Sequence, residues 1–230
     1  MRVAIVTATY NKLGCLANTI SSITWQETNH DIELCIVDDC SDIDPFYCIS
    51  KHCGSIPLRY KRLSQNVGDR KSQTYAPDLF SPGIQAVILQ SCDTVYGTPD
   101  LIQDLVDNLE PGVATMPEVR NLPVQEDLHL HPELLSYYLS DERLVGYPER
   151  GHPVFYSGPR QPDPENRWYF FLGAILLEDL NKTCFRENNW DVAIHDSMKV
   201  AGLTVKYISG IGIHQKHVDL KRNEFGQVVR

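Results

Sequence analysis

The chain has 230 residues, 42% of them apolar, enough for one sizeable core or at most two small ones. Thirty acidic against 21 basic residues leave a net charge of −9, which argues against a broad nucleic-acid or anionic-membrane footprint. No stretch approaches the roughly 18 apolar residues of a membrane span, and no basic, apolar, cleavable leader precedes Arg2-Val-Ala-Ile-Val6, so the expected location is cytoplasmic.

In chain order, Val3 to Val6 reads as a buried strand ending in Thr7-Ala-Thr-Tyr-Asn11. Leu13, Leu16, Ala17, Ile20 and Ile23 step by three and four and mark one face of a helix. Glu33-Leu-Cys-Ile-Val37 is a second strand, closed by Asp38-Asp39-Cys40-Ser41-Asp42, and a short helix occupies part of Pro45 to Lys51. Cys40, Cys48, His52 and Cys53 cluster here without the paired CxxC spacing of a strong zinc signal. The odd total of seven cysteines fits reduced thiols better than a disulfide framework. Leu58 to Leu63 alternates as a third strand and leads to Asn66-Val-Gly68.

Val87-Ile-Leu89 is a short, wholly apolar run that suits a strand covered on both faces, and Gln90-Ser-Cys-Asp93 ends it abruptly. Thr98 as N-cap and Pro99 at the first helical position open a helix carrying Leu101, Ile102, Leu105, Val106 and Leu109. Val113 to Met116 is a further strand. Residues 120–167 carry seven prolines, with His129, His131 and His152 among them, and read as a binding loop or lid containing a helix from Pro132 to about Leu139. Trp168 to Leu177 returns to the core, Trp190 to Ala201 is a helix ended by Gly202, and Val205 to Ile208 is a strand leading to Ile211-Gly-Ile-His214-Gln-Lys-His217.

Strands interleaved with helices imply right-handed crossovers and a mainly parallel sheet. The polar clusters at Thr7–Asn11, Asp38–Ser41 and Cys92-Asp93 then fall at strand C-termini, on one edge, where open α/β sheets bind ligands. Each has a plainer reading, as turn or helix-capping residues. No GxGxxG follows the first strand and no GxxxxGK[ST] occurs, so dinucleotide oxidoreductases and P-loop NTPases are disfavoured.

Ala4-Ile-Val-Thr-Ala-Thr-Tyr-Asn11, Ile20-Ser-Ser-Ile-Thr-Trp-Gln26 and Glu33-Leu-Cys-Ile-Val-Asp-Asp-Cys-Ser41 closely resemble the start of family 2 glycosyltransferases of the GT-A fold. Asn66-Val-Gly68 looks like that family's Asn-x-Gly segment. Gln90-Ser-Cys-Asp-Thr-Val-Tyr-Gly-Thr-Pro-Asp100 resembles its metal-binding strand end, and Asn189 to Gly202 its catalytic-base helix. The resemblance spans most of the chain except 120–167. It implies one GT-A-like α/β domain, residues 1–118 forming the nucleotide-sugar half and 119–230 the acceptor half.

On that resemblance, Ala8, Thr9 and Tyr10 would line the nucleotide pocket, with the Tyr10 ring on the base. Asp39, with Asp38 as neighbour or substitute, would accept a hydrogen bond from the base. Arg70 would face uracil or phosphate. Asp93, with Cys92 beside it, would sit at the diphosphate and bind Mn2+ or Mg2+, whose hard-oxygen preference it suits. His214, or His217, would add an imidazole ligand. Asp191, or alternatively Asp196, would be the general base of an inverting transfer from a nucleotide sugar, most often a UDP-sugar, to an acceptor hydroxyl on a small molecule, glycan, lipid, protein or nucleic acid. Two departures stand out: Ser91-Cys92 replace an additional acid in the metal motif, and Trp190-Asp191 replace an acidic pair before the base helix. They leave open a non-catalytic nucleotide- or sugar-binding protein of the same fold. A sugar nucleotidyltransferase is a third reading, but no Gly-rich, Lys/Arg-bearing loop follows the first strand.

Overall fold

The computed structural model describes residues 1–121, 155–157, 172–187 and 191–214. In chain order these form β1 (Arg2–Thr9), α1 (Leu13–Thr24), β2 (Asp31–Asp38), α2 (Phe46–His52), β3 (Leu58–Arg62), α3 (Asp69–Ser72) and a 3-10 helix (Gln73–Leu79). Next come β4 (Ala86–Gln90), β5 (Thr94–Tyr96), α4 (Leu101–Asp107), β6 (Val113–Asn121), β7 (Phe155–Ser157), β8 (Leu172–Leu176), α5 (Leu177–Leu180), α6 (Asp191–Val200) and β9 (Thr204–His214).

The strands make one sheet in the order β3-β2-β1-β4-β8-β6-β9-β5, with β7 pairing β6. β1, β2, β3 and β4 run parallel; the apolar runs of β1, β2 and β4 are buried on both faces, while β3 at the sheet edge is part-exposed. Alternation along each strand assigns the two faces. Val3, Ile5, Leu34, Ile36, Ala86 and Ile88 pack beneath α1, α2 and α4. Ala4, Val6, Cys35, Val37, Val87 and Leu89 pack against the 3-10 helix, α5 and α6, meeting Ala76, Leu180, Ile194 and Met198. Each fully buried aliphatic side chain in these layers contributes about 1.5–3 kcal/mol of transfer free energy.

The sheet differs from the expectation in its second half, which is mixed. β8 is antiparallel to both β4 and β6, and β5 is antiparallel to β9. The three residues of β5 are too few to show a periodicity; their pairing with β9 is non-local. The helix expected from Thr98 begins later, at Leu101, with Asp100 at its N-cap; Gln26 and Ile211 engage Thr98 instead. Gly202 does end α6, with φ +72, a conformation that costs glycine little. The helix expected at 132–139 and the aromatic run from Trp168 to Phe171 lie outside the described residues.

The chain builds β2 and β3 on one side of β1, then crosses over and lays β4 on the other side. The gap beyond the C-terminal ends of β1 and β4 is therefore a topological switch point, the place where open α/β sheets bind ligands because two loops diverge there. The residues at the exits of β1 and β4 decide the chemistry of that gap.

Candidate functional site

After β1 comes Tyr10-Asn-Lys12, after β2 comes Asp39-Cys-Ser-Asp42, and after β4 comes Ser91-Cys-Asp93. The pairing of Thr9 with Asp38 in register, and the 2.8 Å hydrogen bond from the Asp39 amide to the Thr9 carbonyl, hold the first two exits side by side. Asn11 ties them further. Its amide donates to Ser41 Oγ at 2.9 Å, and its side-chain oxygen accepts the Asp42 amide at 2.8 Å. Asn11 and Cys40 both take positive φ (52° and 64°), a conformation that costs a side-chain-bearing residue energy and concentrates at functional sites.

Asp38 and Asp39 are both fully buried and do different things. Asp38 shapes its own turn: Oδ1 accepts the Ser41 hydroxyl at 2.5 Å, and Arg62 Nε lies 3.4 Å from Oδ2. Asp39 reaches across to the Asn-x-Gly segment. Its Oδ1 accepts the Val67 amide at 2.7 Å and its Oδ2 the Gly68 amide at 2.8 Å. Gly68 has φ +94, so a side chain there would be strained. Tyr60 donates to Asp44 at 2.7 Å; burial, then that bond and the nearby Asp38 charge, push its phenol up.

Asp93 is buried at the exit of β4, 1% exposed. Its Oδ1 accepts the Ser91 hydroxyl at 2.5 Å, and its Oδ2 lies 2.8 Å from the Lys12 ammonium, itself only 13% exposed. Lys12 stands at the N-cap of α1 and makes no side-chain capping bond there. The Lys12–Asp93 pair thus closes the switch-point gap from both sides. Cys15, one turn into α1, lies close enough to feel both charges: burial and then Asp93 push its thiol up, with Lys12 opposing. The backbone of Cys92 accepts the Thr19 hydroxyl at 3.0 Å, which anchors this exit to α1.

Beside the gap, Gln90 is buried, its Oε1 taken by the Tyr96 hydroxyl at 2.6 Å and its amide nitrogen without a partner among the described residues. The register places the backbone of His214 opposite Thr94, one residue from Asp93. Ala8 and Thr9 end β1 in the buried layer, and Tyr10 is half-buried at its exit. Asp191 opens α6 and Asp196 is exposed farther along it; five residues turn a helix by about 140°, so the two do not share a face. The side chains of Arg70, Asp191 and His214 lie outside the description, as does His217 altogether. Lys12 is the residue that sequence reasoning passed over. Its signal was position, as the first base after the β1 exit.

On the family resemblance, a divalent ion at this gap would draw on Asp93. The arrangement does not fit one as it stands, because the Oδ2 lone pairs face an ammonium and Oδ1 accepts a hydroxyl. Among the described residues no three His, Cys, Asp or Glu side chains are placed to share an ion. The Cys40–Cys53 cluster is also spent otherwise: His52 Nδ1 lies 2.9 Å from Ser21 Oγ, and the Cys53 thiol donates to the Ile49 carbonyl. No described helix is long and apolar enough to cross a membrane.

Comparison with known proteins agrees with this geometry. Residues 4–110 match the model of glycosyl transferase family 2. The fold is similar to that of S. aureus TarS, with TM-score 0.59 and 13% identity over 94% of this chain and 36% of that one. It is also similar to mannosyltransferase PcManGT from Pyrobaculum calidifontis in complex with GDP-Man and Mn2+, with TM-score 0.56 and 16% identity over 93% of this chain and 56% of that one. The chain thus spans between about a third and just over half of the length of these structures. No curated protein sequence matches it. Over residues 4–110, a little under half of the chain, the sequence is thus similar to glycosyl transferase family 2, and the fold is similar to those of TarS and PcManGT.

Proposed function

We propose that this protein is a glycosyltransferase that takes a nucleotide sugar, a UDP-sugar on the family resemblance, and passes the sugar to an acceptor hydroxyl with inversion. The observation that carries the proposal is the gathering of the β1, β2 and β4 exits at one switch point, with Asp39, Lys12 and Asp93 at its wall. Tyr10 would stack on the base, Asp39 would set the loop that frames it, and the diphosphate would lie over the β1–β4 gap. PcManGT, which is similar in fold, is in complex with GDP-Man and Mn2+.

In the transfer, the acceptor oxygen forms a bond to the anomeric carbon from the face opposite the leaving group. The bond from that carbon to the β-phosphate oxygen breaks, and the nucleoside diphosphate leaves with the electron pair. The acceptor proton passes to a carboxylate, for which Asp191 at the start of α6 is the proposed base and Asp196 the alternative. The Mn2+ or Mg2+ that the resemblance implies does not fit the Asp93 environment, and no step is assigned to it.

A second reading, a nucleotide-binding protein without turnover, is favoured by the same ion pair, since Lys12 engages the acid left in the metal motif. Release of nucleoside diphosphate from a panel of UDP- and GDP-sugars separates the two. Turnover that Asp191→Asn removes supports the transferase. Turnover unchanged in that variant moves the base elsewhere, and binding without any release favours the second reading.

A further inference from the structure

We infer that Lys12 supplies the positive charge that holds the donor's diphosphate, so that the protein binds nucleoside diphosphates without a divalent ion. The inference rests on the nucleotide-sugar reading above. A diphosphate brought over the β1–β4 gap meets Asp38, Asp39 and Asp93, all buried at the same rim, and needs a compensating cation there. Lys12 is on the β1 side of the gap, 2.8 Å from the Asp93 carboxylate that comes from the β4 side. An ammonium carries three donors and can serve a carboxylate and a phosphate oxygen together, which is the bridge a divalent ion makes. Its place is also occupied: an ion on Asp93 Oδ2 would lie against Lys12 and be repelled by it.

Two local features point the same way. Lys12 is the N-cap residue of α1, a helix of 12 residues, and makes no side-chain capping bond, so the positive end of that helix lies beside the Lys12–Asp93 pair. The metal motif has lost an acid at Ser91-Cys92, and in its place the Ser91 hydroxyl donates to Asp93. A carboxylate bound by an ammonium and a hydroxyl is positioned as an anchor for Lys12. Asp93 is thereby a positioning residue for Lys12, so both variants should weaken the diphosphate, the loss of the charge more than the loss of its anchor.

Calorimetric titration of the full chain with UDP, GDP and uridine, after EDTA treatment and again with Mn2+, tests this. The expected result is UDP or GDP binding in EDTA that Mn2+ does not tighten. Lys12→Met should weaken the diphosphate about 10- to 100-fold, as loss of a charge-assisted contact does, and leave uridine unchanged. Lys12→Arg should keep most of the affinity. Asp93→Asn should weaken the diphosphate less than Lys12→Met does, by the same factor in EDTA and in Mn2+, because the ammonium keeps its charge and loses its anchor. Binding that needs Mn2+ and disappears in Asp93→Asn would overturn the inference and leave the glycosyltransferase reading standing. Equal loss of diphosphate and uridine in Lys12→Met would make Lys12 a folding residue and also overturn it. Failure of UDP and GDP to bind under either condition would end both.

Discussion

Replacing Asp39 by asparagine keeps the shape of the side chain and changes only its chemistry. In the parent, the two carboxylate oxygens accept the Val67 and Gly68 amides at 2.7 and 2.8 Å. Asparagine offers one oxygen and turns an NH2 toward the other amide. Gly68 is buried, so its N–H cannot recover a water partner, whereas Val67 is half-buried. Losing one bond to a charged acceptor and weakening the other costs about 2–4 kcal/mol, with no cavity term to add. For a chain of this size that corresponds to a fall in Tm of about 4–16 °C. Urea unfolding gives the free energy, and hydrogen exchange at the Val67 and Gly68 amides shows whether the loop has come loose. A variant within about 0.5 kcal/mol of the parent, with both amides still protected, would refute the assignment of Asp39 as the loop's holder.

Ser41→Ala should cost about 1–3 kcal/mol, because the hydroxyl both donates to buried Asp38 and accepts the Asn11 amide; urea unfolding checks it. Gly68→Ala should lose about 1–3 kcal/mol through its φ of +94 and should weaken nucleotide binding, read by calorimetry, while the circular dichroism of the fold persists. Burial raises the Cys53 thiol to about 11 from 9.0, so it favours the folded state while protonated. That contribution is full below the unfolded-state value near pH 9 and fades by about 2–3 kcal/mol as pH rises through 11. Cys53→Ala should therefore be less stable than the parent at pH 8 and close the gap by pH 11; a constant difference in denaturant midpoint across that range would contradict it.

Much of the fold could be read from the sequence because its strands are covered on both faces. Val3–Val6, Glu33–Val37 and Val87–Leu89 each fall in a strand, and α1 follows its stripe of Leu16, Ile20 and Ile23. The β1 and β2 exits were legible for the same reason: polarity that begins where a buried run stops has few places to go. What escaped was set by non-local pairing. β5 exists because β9 is beside it, and the antiparallel insertion of β8 between β4 and β6 has no local signature. At the strand exits, the acids could be named one by one from the sequence, but their partners could not. That Asp39 would hold Gly68, and that Lys12 would meet Asp93 from 81 positions away, depends on the strand order β2-β1-β4.

Hydrogen exchange of the chain with and without UDP tests the central claim most directly, since the molecule has two rims. New protection is expected only at residues 7–12, 38–41, 66–68 and 90–93. A cavity of about 380 Å³ at the opposite end of β1 and β2, lined by Arg2, His30, Asp31 and Ile56, serves as the internal control. Protection there, with the C-terminal strand ends unchanged, would contradict the placement of the donor site.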